Sequence, residues 1–147
     1  RYTAAIRDGA TQRLEPRGMA PLSVGQVVWK AGHKTGITQA MVIADQATIR
    51  VDYKRRRGFL TLTGQTILRR QSPGAVICLP GDSGSTWMDQ RTRAGALHLG
   101  GDLNGSYGIA TDLRRVFLHL WTADELHGYN LNHLNGWALE ESEYLLA

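Results

Sequence analysis

The sequence is short of the residues that mark several protein classes. It holds one cysteine, Cys78, so no internal disulfide can form. The five histidines, His33, His98, His119, His127 and His133, lack the close spacing of metal ligands, and no second cysteine helps them. Neither a metal nor another cofactor is expected. No apolar run approaches the ~20 residues that a helix needs to cross a bilayer, so no membrane partner is expected either. No basic segment followed by an apolar stretch opens the chain. Its first residue is Arg1 rather than Met, as expected of a processed chain or a fragment. Lysine and arginine are missing from Thr122 onward, where five acids stand: Asp124, Glu125, Glu140, Glu141 and Glu143. All 17 Lys and Arg therefore fall in residues 1–121 against eight acids, a balance of +9 inside a chain of net charge +4. Such a body could attract an acidic partner or nucleic acid. No aromatic residues interleave the basic ones to stack on bases, so a solvated surface balanced by the acidic tail is the preferred reading.

What is present points to β-structure. A chain of 147 residues is one domain with room for a core. Glycine is abundant, at 17, and the apolar runs are short and punctuated by Gly, Asn and Asp. Residues 1–22, with Gly9, Pro16, Gly18 and Pro21, read as an extended lead-in or linker. Strands are predicted over Val24–Trp29, Ile37–Ala44 and Ala47–Tyr53, the last two joined by a tight turn at Asp45-Gln46. The cluster Lys54-Arg55-Arg56-Arg57-Gly58 suits an exposed hairpin tip. Phe59–Thr63 and Gln65–Leu68 read as two more strands around Gly64. Ala75–Leu79 reads as a strand leading into Pro80. After a turn at Asp89–Arg93, strands follow at Ala94–Leu99 and Tyr107–Ala110. The period then changes. Thr111-Asp112 offers an N-cap, and Leu113, Val116, Phe117, Leu120 and Trp121 recur at helical spacing, a stripe expected to lie on the barrel. A second helix is predicted near Trp137–Leu146, in the acidic tail.

The stretch most charged with chemistry is Gly81-Asp82-Ser83-Gly84-Ser85. Two glycines let the backbone turn sharply and come close to a ligand. A serine presented in this way can act as a nucleophile, with the Gly81 and Ser83 N–H groups converging as an oxyanion hole. The same residues also suit an ordinary surface turn.

The order of motifs resembles the C-terminal half, the second β-barrel, of a chymotrypsin-like (trypsin-fold) serine protease of the bacterial type. Val28–Thr38 looks like that family's strand and its K-x-G-x-T-T-G-x-T loop. Gly81–Ser85 matches the nucleophile motif. Gly95–Gly101 is similar to the strand beside the bound peptide. Tyr107–Val116 is similar to the wall of the specificity pocket running into the C-terminal helix. The resemblance spans about residues 21–121. It implies an all-β fold: a single six-stranded antiparallel Greek-key barrel with a C-terminal helix and a helical acidic tail. The implied organisation is a lead-in or inter-barrel linker over 1–22, the barrel with its closing helix over 23–121, and an acidic extension over 122–147.

By the same resemblance Ser83 is the nucleophile, and Gly81 and Ser83 supply the oxyanion hole. Asp82 is a buried carboxylate that holds the oxyanion loop, with Lys30 as its cation. Leu97, His98, Leu99 and Gly100 would pair with substrate as an added strand. Ile77 and Cys78 would floor the specificity pocket, with His98 and Gly108 near its wall. An apolar floor argues against Arg or Lys selectivity. His98 stands where glutamyl endopeptidases carry a histidine that meets an acidic side chain, although a histidine in a strand is more often structural.

The family's triad histidine and aspartate come from the first barrel, and none of the five histidines here stands in that motif. The chain therefore reads as the nucleophile-bearing part of a serine endopeptidase. The N-terminal half would then be its partner, freed by self-cleavage or trimming or encoded apart, and a peptide or protein its substrate. Two other readings are a catalytically inactive single-barrel interaction module and, less favoured, a basic nucleic-acid-binding domain.

Overall fold

The computed structural model describes residues 3–5, 11–13, 16–53 and 58–127, with side chains described over 16–52 and 58–120. The expected basic tip at 54–57 and the expected second helix lie outside these residues.

Two short strands, β1 (Thr3–Ala5) and β2 (Thr11–Arg13), pair antiparallel within the stretch expected to be an extended lead-in. Six strands then form a closed barrel: β3 (Val27–Gly32), β4 (Gly36–Tyr53), β5 (Gly58–Arg69), β6 (Thr86–Met88), β7 (Ala94–Gly101) and β8 (Tyr107–Asp112). The spatial order is β3-β4-β5-β8-β7-β6, every pair is antiparallel, and Trp29 opposite Met88 closes the ring. Closure leaves β7 unpaired on its β6 side only beyond Leu97 and the His98 backbone bonds to Gly84 and Ser85. The expected all-β barrel with one C-terminal helix is the observed architecture.

Alternation explains the core. Along β3 every second residue, Val28, Lys30 and Gly32, is buried. Val28, Ala40, Val42, Leu68, Ile77, Cys78, Trp87, Ala96 and Ala110 pack into the main cluster together with Leu22. Met19, Met88, Ala94 and Leu113 form a second cluster, with Leu97 and Phe117 against it. The lead-in is bound to the barrel here: Met19 bridges Ala94, and a side chain on Gly95 would strike Leu22.

Three expectations about strands are corrected. Asp45-Gln46 is not a hairpin turn. β4 runs on through it, Gln46 adopts φ +52°, and the β4–β5 register shifts between Ala44 and Ala47. Two polar residues between apolar runs mark a bulge here, because the ladder to β5 resumes at Ala47 opposite Gln65. Likewise β5 is one strand across Gly64, which supplies the left-handed φ of +66° at the next register shift, between Ala47 and Ile49. Ala75–Leu79 is not a strand. Its Ile77 N–H donates to Gly105 O and its Ile77 carbonyl accepts from Thr38 Oγ1, so turns and side chains satisfy it instead of a ladder.

The helix α1 (Leu113–His127) starts where expected. Asp112 caps it by accepting the Arg114 N–H at 2.9 Å, and its second oxygen takes the Arg114 guanidinium at 2.7 Å. The predicted stripe is only partly on the barrel. Leu113 and Phe117 pack there, whereas Leu120 is exposed, because the helix touches the barrel through its first turns. The Trp121 side chain lies outside the described residues.

Candidate active site

Asp82 is the best-anchored side chain of the turn between Pro80 and Ser85. It is 1% exposed, and its carboxylate accepts five hydrogen bonds. Oδ1 takes the Lys34 and Thr35 N–H groups at 2.7 and 3.2 Å. Oδ2 takes the Thr35 hydroxyl at 2.6 Å, the Leu79 N–H at 3.1 Å and the Lys30 ammonium at 3.1 Å. Burial alone would raise this carboxyl, but the hydrogen bonds from Thr35, Lys34, Leu79 and Lys30 hold it well below the usual carboxylate range. Lys30 is fully buried as well, and burial pulls its ammonium down from the usual value while Asp82 pushes back. A second hydrogen bond, to Thr35 Oγ1 at 2.9 Å, helps to satisfy Lys30. Such a pair holds only because its partners are in place, since each charge would be costly alone.

The local sequence explains the approach. Gly32 leaves no side chain where Asp82 and Lys30 meet: a Cβ there would lie 2.6 Å from Asp82 Cγ and 2.7 Å from Lys30 Nζ. Gly81, at φ +106°, sits against the Lys34 stem, 2.8 Å from where a Cβ would stand. These two glycines let the β3–β4 loop and the 81–85 turn close on each other.

Ser83 follows Asp82 on the outside of the turn. It is exposed, and its hydroxyl donates to Leu99 O at 2.8 Å. Asp82 N–H donates to Leu79 O, Gly84 N–H to His98 O and Ser85 N–H to Asp82 O. Among the described residues the Gly81 and Ser83 N–H groups have no protein acceptor. The turn is thus locked by its own backbone bonds and by Asp82, and its Gly81 and Ser83 N–H donors are left without a protein acceptor among the described residues.

Behind the turn a buried polar string continues into the barrel. Lys30 Nζ lies 5.4 Å from the centre of the Trp87 ring. Trp87 Nε1 donates to His98 Nδ1 at 3.3 Å, with the two rings edge to face. An accepting Nδ1 requires the neutral ring. Burial, reinforced by the charge of Lys30, lowers His98 to about 4, with Asp82 opposing.

The residues expected to meet substrate separate into two sets. Ile77 and Cys78 are core residues, 1% and 2% exposed, and the Cys78 thiol donates to Tyr107 O. Burial also pushes that thiol up, away from reactivity. His98 and Gly108 are buried, and Leu97 leans on the helix side of the barrel. Leu97 pairs with Thr86, and the His98 N–H and C=O are taken by Ser85 and Gly84, so neither offers a free edge to an added strand. Leu99 and Gly100 are the accessible members. Sequence reasoning left out Thr35 and Trp87. Thr35 belongs to the Lys30–Thr38 loop motif and was legible there. Trp87 carried no signal, because its role depends on two residues from other strands.

The other histidines with described side chains, His33 and His119, are exposed, and the hydrogen bond of Ser83 goes to a backbone oxygen.

No protein-family profile and no curated protein matches the sequence. Solved structures do match in three dimensions. Nocardiopsis protease superposes at TM-score 0.59 with 23% identity, over 81% of this chain and 56% of its own. Cellulomonas bogoriensis chymotrypsin gives 0.59 and 20%, over 80% and 58%. A glutamic acid specific serine protease, described as using a histidine triad in substrate binding, gives 0.58 and 21%, over 80% and 57%. The chain spans little more than half the length of these proteases. At this identity the likeness establishes the trypsin-like fold.

Proposed function

We propose that this chain is the nucleophile-bearing part of a trypsin-like serine endopeptidase. The observation that carries the reading is the anchoring of Asp82 by five hydrogen bonds, four of them from Lys30, Lys34 and Thr35, 47 to 52 residues away in sequence. That anchoring fixes the turn so that Ser83 stands exposed beside the unoccupied Gly81 and Ser83 N–H donors. An interaction surface alone has no need of a buried ion pair under a serine. The chemistry is acyl transfer. Ser83 Oγ attacks a peptide carbonyl and gives its proton to a base, and the two N–H groups stabilise the developing oxyanion. Water then hydrolyses the acyl-enzyme. The base and the carboxylate that orients it come from another part of the protein or from a separate chain. Substrate adds as a strand along Leu99 and Gly100.

A second reading, a catalytically inactive single-barrel module, is favoured by one observation: the Ser83 hydroxyl is engaged by Leu99 O, with no base beside it among the described residues. Labelling with a fluorophosphonate separates the two. The probe is applied to this chain alone and to the protein as purified from its source, and the adduct and any companion chain are located by mass spectrometry. Labelling of Ser83 only when a chain carrying the histidine and aspartate is present establishes the protease. A folded domain that labels in neither sample establishes the module.

A further inference from the structure

We propose that the open cleft between the end of β5 and the Ser106–Tyr107 turn is a carboxylate-binding site for an acidic peptide segment. The proposal does not depend on the protease reading. The cleft has a volume of about 290 Å³ and is lined by Arg69, Arg70, Gln71, Ser72, Ser106 and Tyr107. Consecutive residues of a strand point to opposite faces. Here the ladder ends at Arg69, opposite Tyr107, and the chain bends as the Arg70 N–H turns to Ser106 O at 2.9 Å. The bend is what lets two adjacent arginines line one cleft.

These arginines are poorly compensated. Asp82, Asp89 and Asp112 each have a cation of their own, Lys30, Arg93 and Arg114. Among the described residues Arg69 has no acidic partner, and Arg70 makes one long side-chain bond, to Ala75 O at 3.4 Å. No acid lines the cleft. The nearby Asp102 turns Oδ1 to the Ser106 and Tyr107 N–H groups at 2.7 and 2.9 Å, so it shapes the turn and its charge is engaged there. Ser106 is 8% exposed, and among the described residues its hydroxyl has no protein partner. A guanidinium fork with a serine hydroxyl suits the two oxygens of a carboxylate. The volume lies at the lower end of ligand sites, enough for one side chain and its backbone. The half-exposed Tyr107 ring gives the stem an apolar wall. The basic balance of residues 1–121 draws such a segment in. The carboxylate has two sources, a separate protein chain or this chain's own Glu140, Glu141 and Glu143.

The test is an amide-shift titration of the ¹⁵N-labelled full chain with capped tetraglutamate and, as control, capped tetraglutamine. Saturable shifts in 69–72, 106 and 107 with tetraglutamate alone are expected. Arg69→Gln and Ser106→Ala should each weaken them, Arg69→Gln by about three- to tenfold. Arg50→Gln, an exposed arginine on another part of the sheet, should leave them unchanged. Absence of shifts at these residues, equal shifts with tetraglutamine, or an equal loss in Arg50→Gln overturns the proposal. In the full chain carrying Glu140→Gln, Glu141→Gln and Glu143→Gln, tighter tetraglutamate binding identifies the chain's own acids as the resident carboxylates. Unchanged binding identifies a separate chain.

Discussion

Lys30 and Asp82, 52 residues apart in sequence, meet at 3.1 Å with both side chains wholly out of solvent. The pair joins the first barrel strand to the turn that carries Ser83, so the geometry of the serine depends on a contact deep in the barrel. Removing one partner leaves the other charge buried. Lys30→Met should cost about 3–5 kcal/mol, read as a lower urea midpoint with an unchanged slope. An unmoved midpoint would mean that the Thr35, Lys34 and Leu79 donors suffice for Asp82.

Gly32→Ala attacks the same pair without removing a charge. The added methyl would occupy the space between Asp82 and Lys30, where Asp82 Oδ1 is its nearest neighbour. A loss of at least about 2 kcal/mol is expected from overpacking a filled site. Thermal unfolding of the variant beside Gly36→Ala, where a Cβ meets open space but strains a φ of +64°, distinguishes the clash from a general cost of replacing glycine.

Ser83→Ala should change stability by less than about 1 kcal/mol, because it removes one exposed hydrogen bond, to Leu99 O. The same substitution should abolish fluorophosphonate labelling and peptide hydrolysis in the assembled protein. Retained hydrolysis would place the nucleophile elsewhere.

His98 predicts an acid sensitivity that starts unusually early. Its folded value is about 4 against 6.5 in the unfolded chain, so between those limits the unfolded state binds more protons. Stability is therefore complete above about pH 6.5, falls as pH drops to about 4, and is insensitive to His98 below that. The full loss is about 3 kcal/mol. Asp82 acts lower, losing its contribution as pH falls below the ordinary carboxylate value. Urea midpoints between pH 4 and 7 measure the slope. His98→Asn should flatten it, and an unchanged slope would assign the titration to another group.

Much of the barrel was legible in the sequence. The short β-branched and aromatic run in Gln26–Lys30 marked β3, the apolar run Ala94–Leu99 marked β7, and Asp112 before an apolar helical stripe marked the start of α1. The misreadings have one cause. Asp45-Gln46 and Gly64 look like turns because bulges and turns use the same residues, and only the partner strand distinguishes them. Ala75–Leu79 has the composition of a buried strand, yet its hydrogen bonds go to Thr38 and Gly105. Of that run only Ile77 and Cys78 are buried, so apolar composition recorded neither burial along the whole stretch nor a ladder.

The candidate site divides in the same way. Gly81–Ser85 was visible because a tight turn is local chemistry: its glycines and its serine are adjacent in the chain. So was the choice of Lys30, through its loop motif. The sequence by itself determined the strand-rich period, the helix cap and the turn that presents Ser83. Tertiary structure alone decided that Ile77, Cys78 and His98 lie in the core rather than in an open pocket. It also decided that Thr35 and Trp87 complete the polar string, and that Arg69 and Arg70 share a cleft. Each of these depends on which face of which strand meets another after the barrel closes. Closure pairs residues tens of positions apart, and no local pattern encodes such distances.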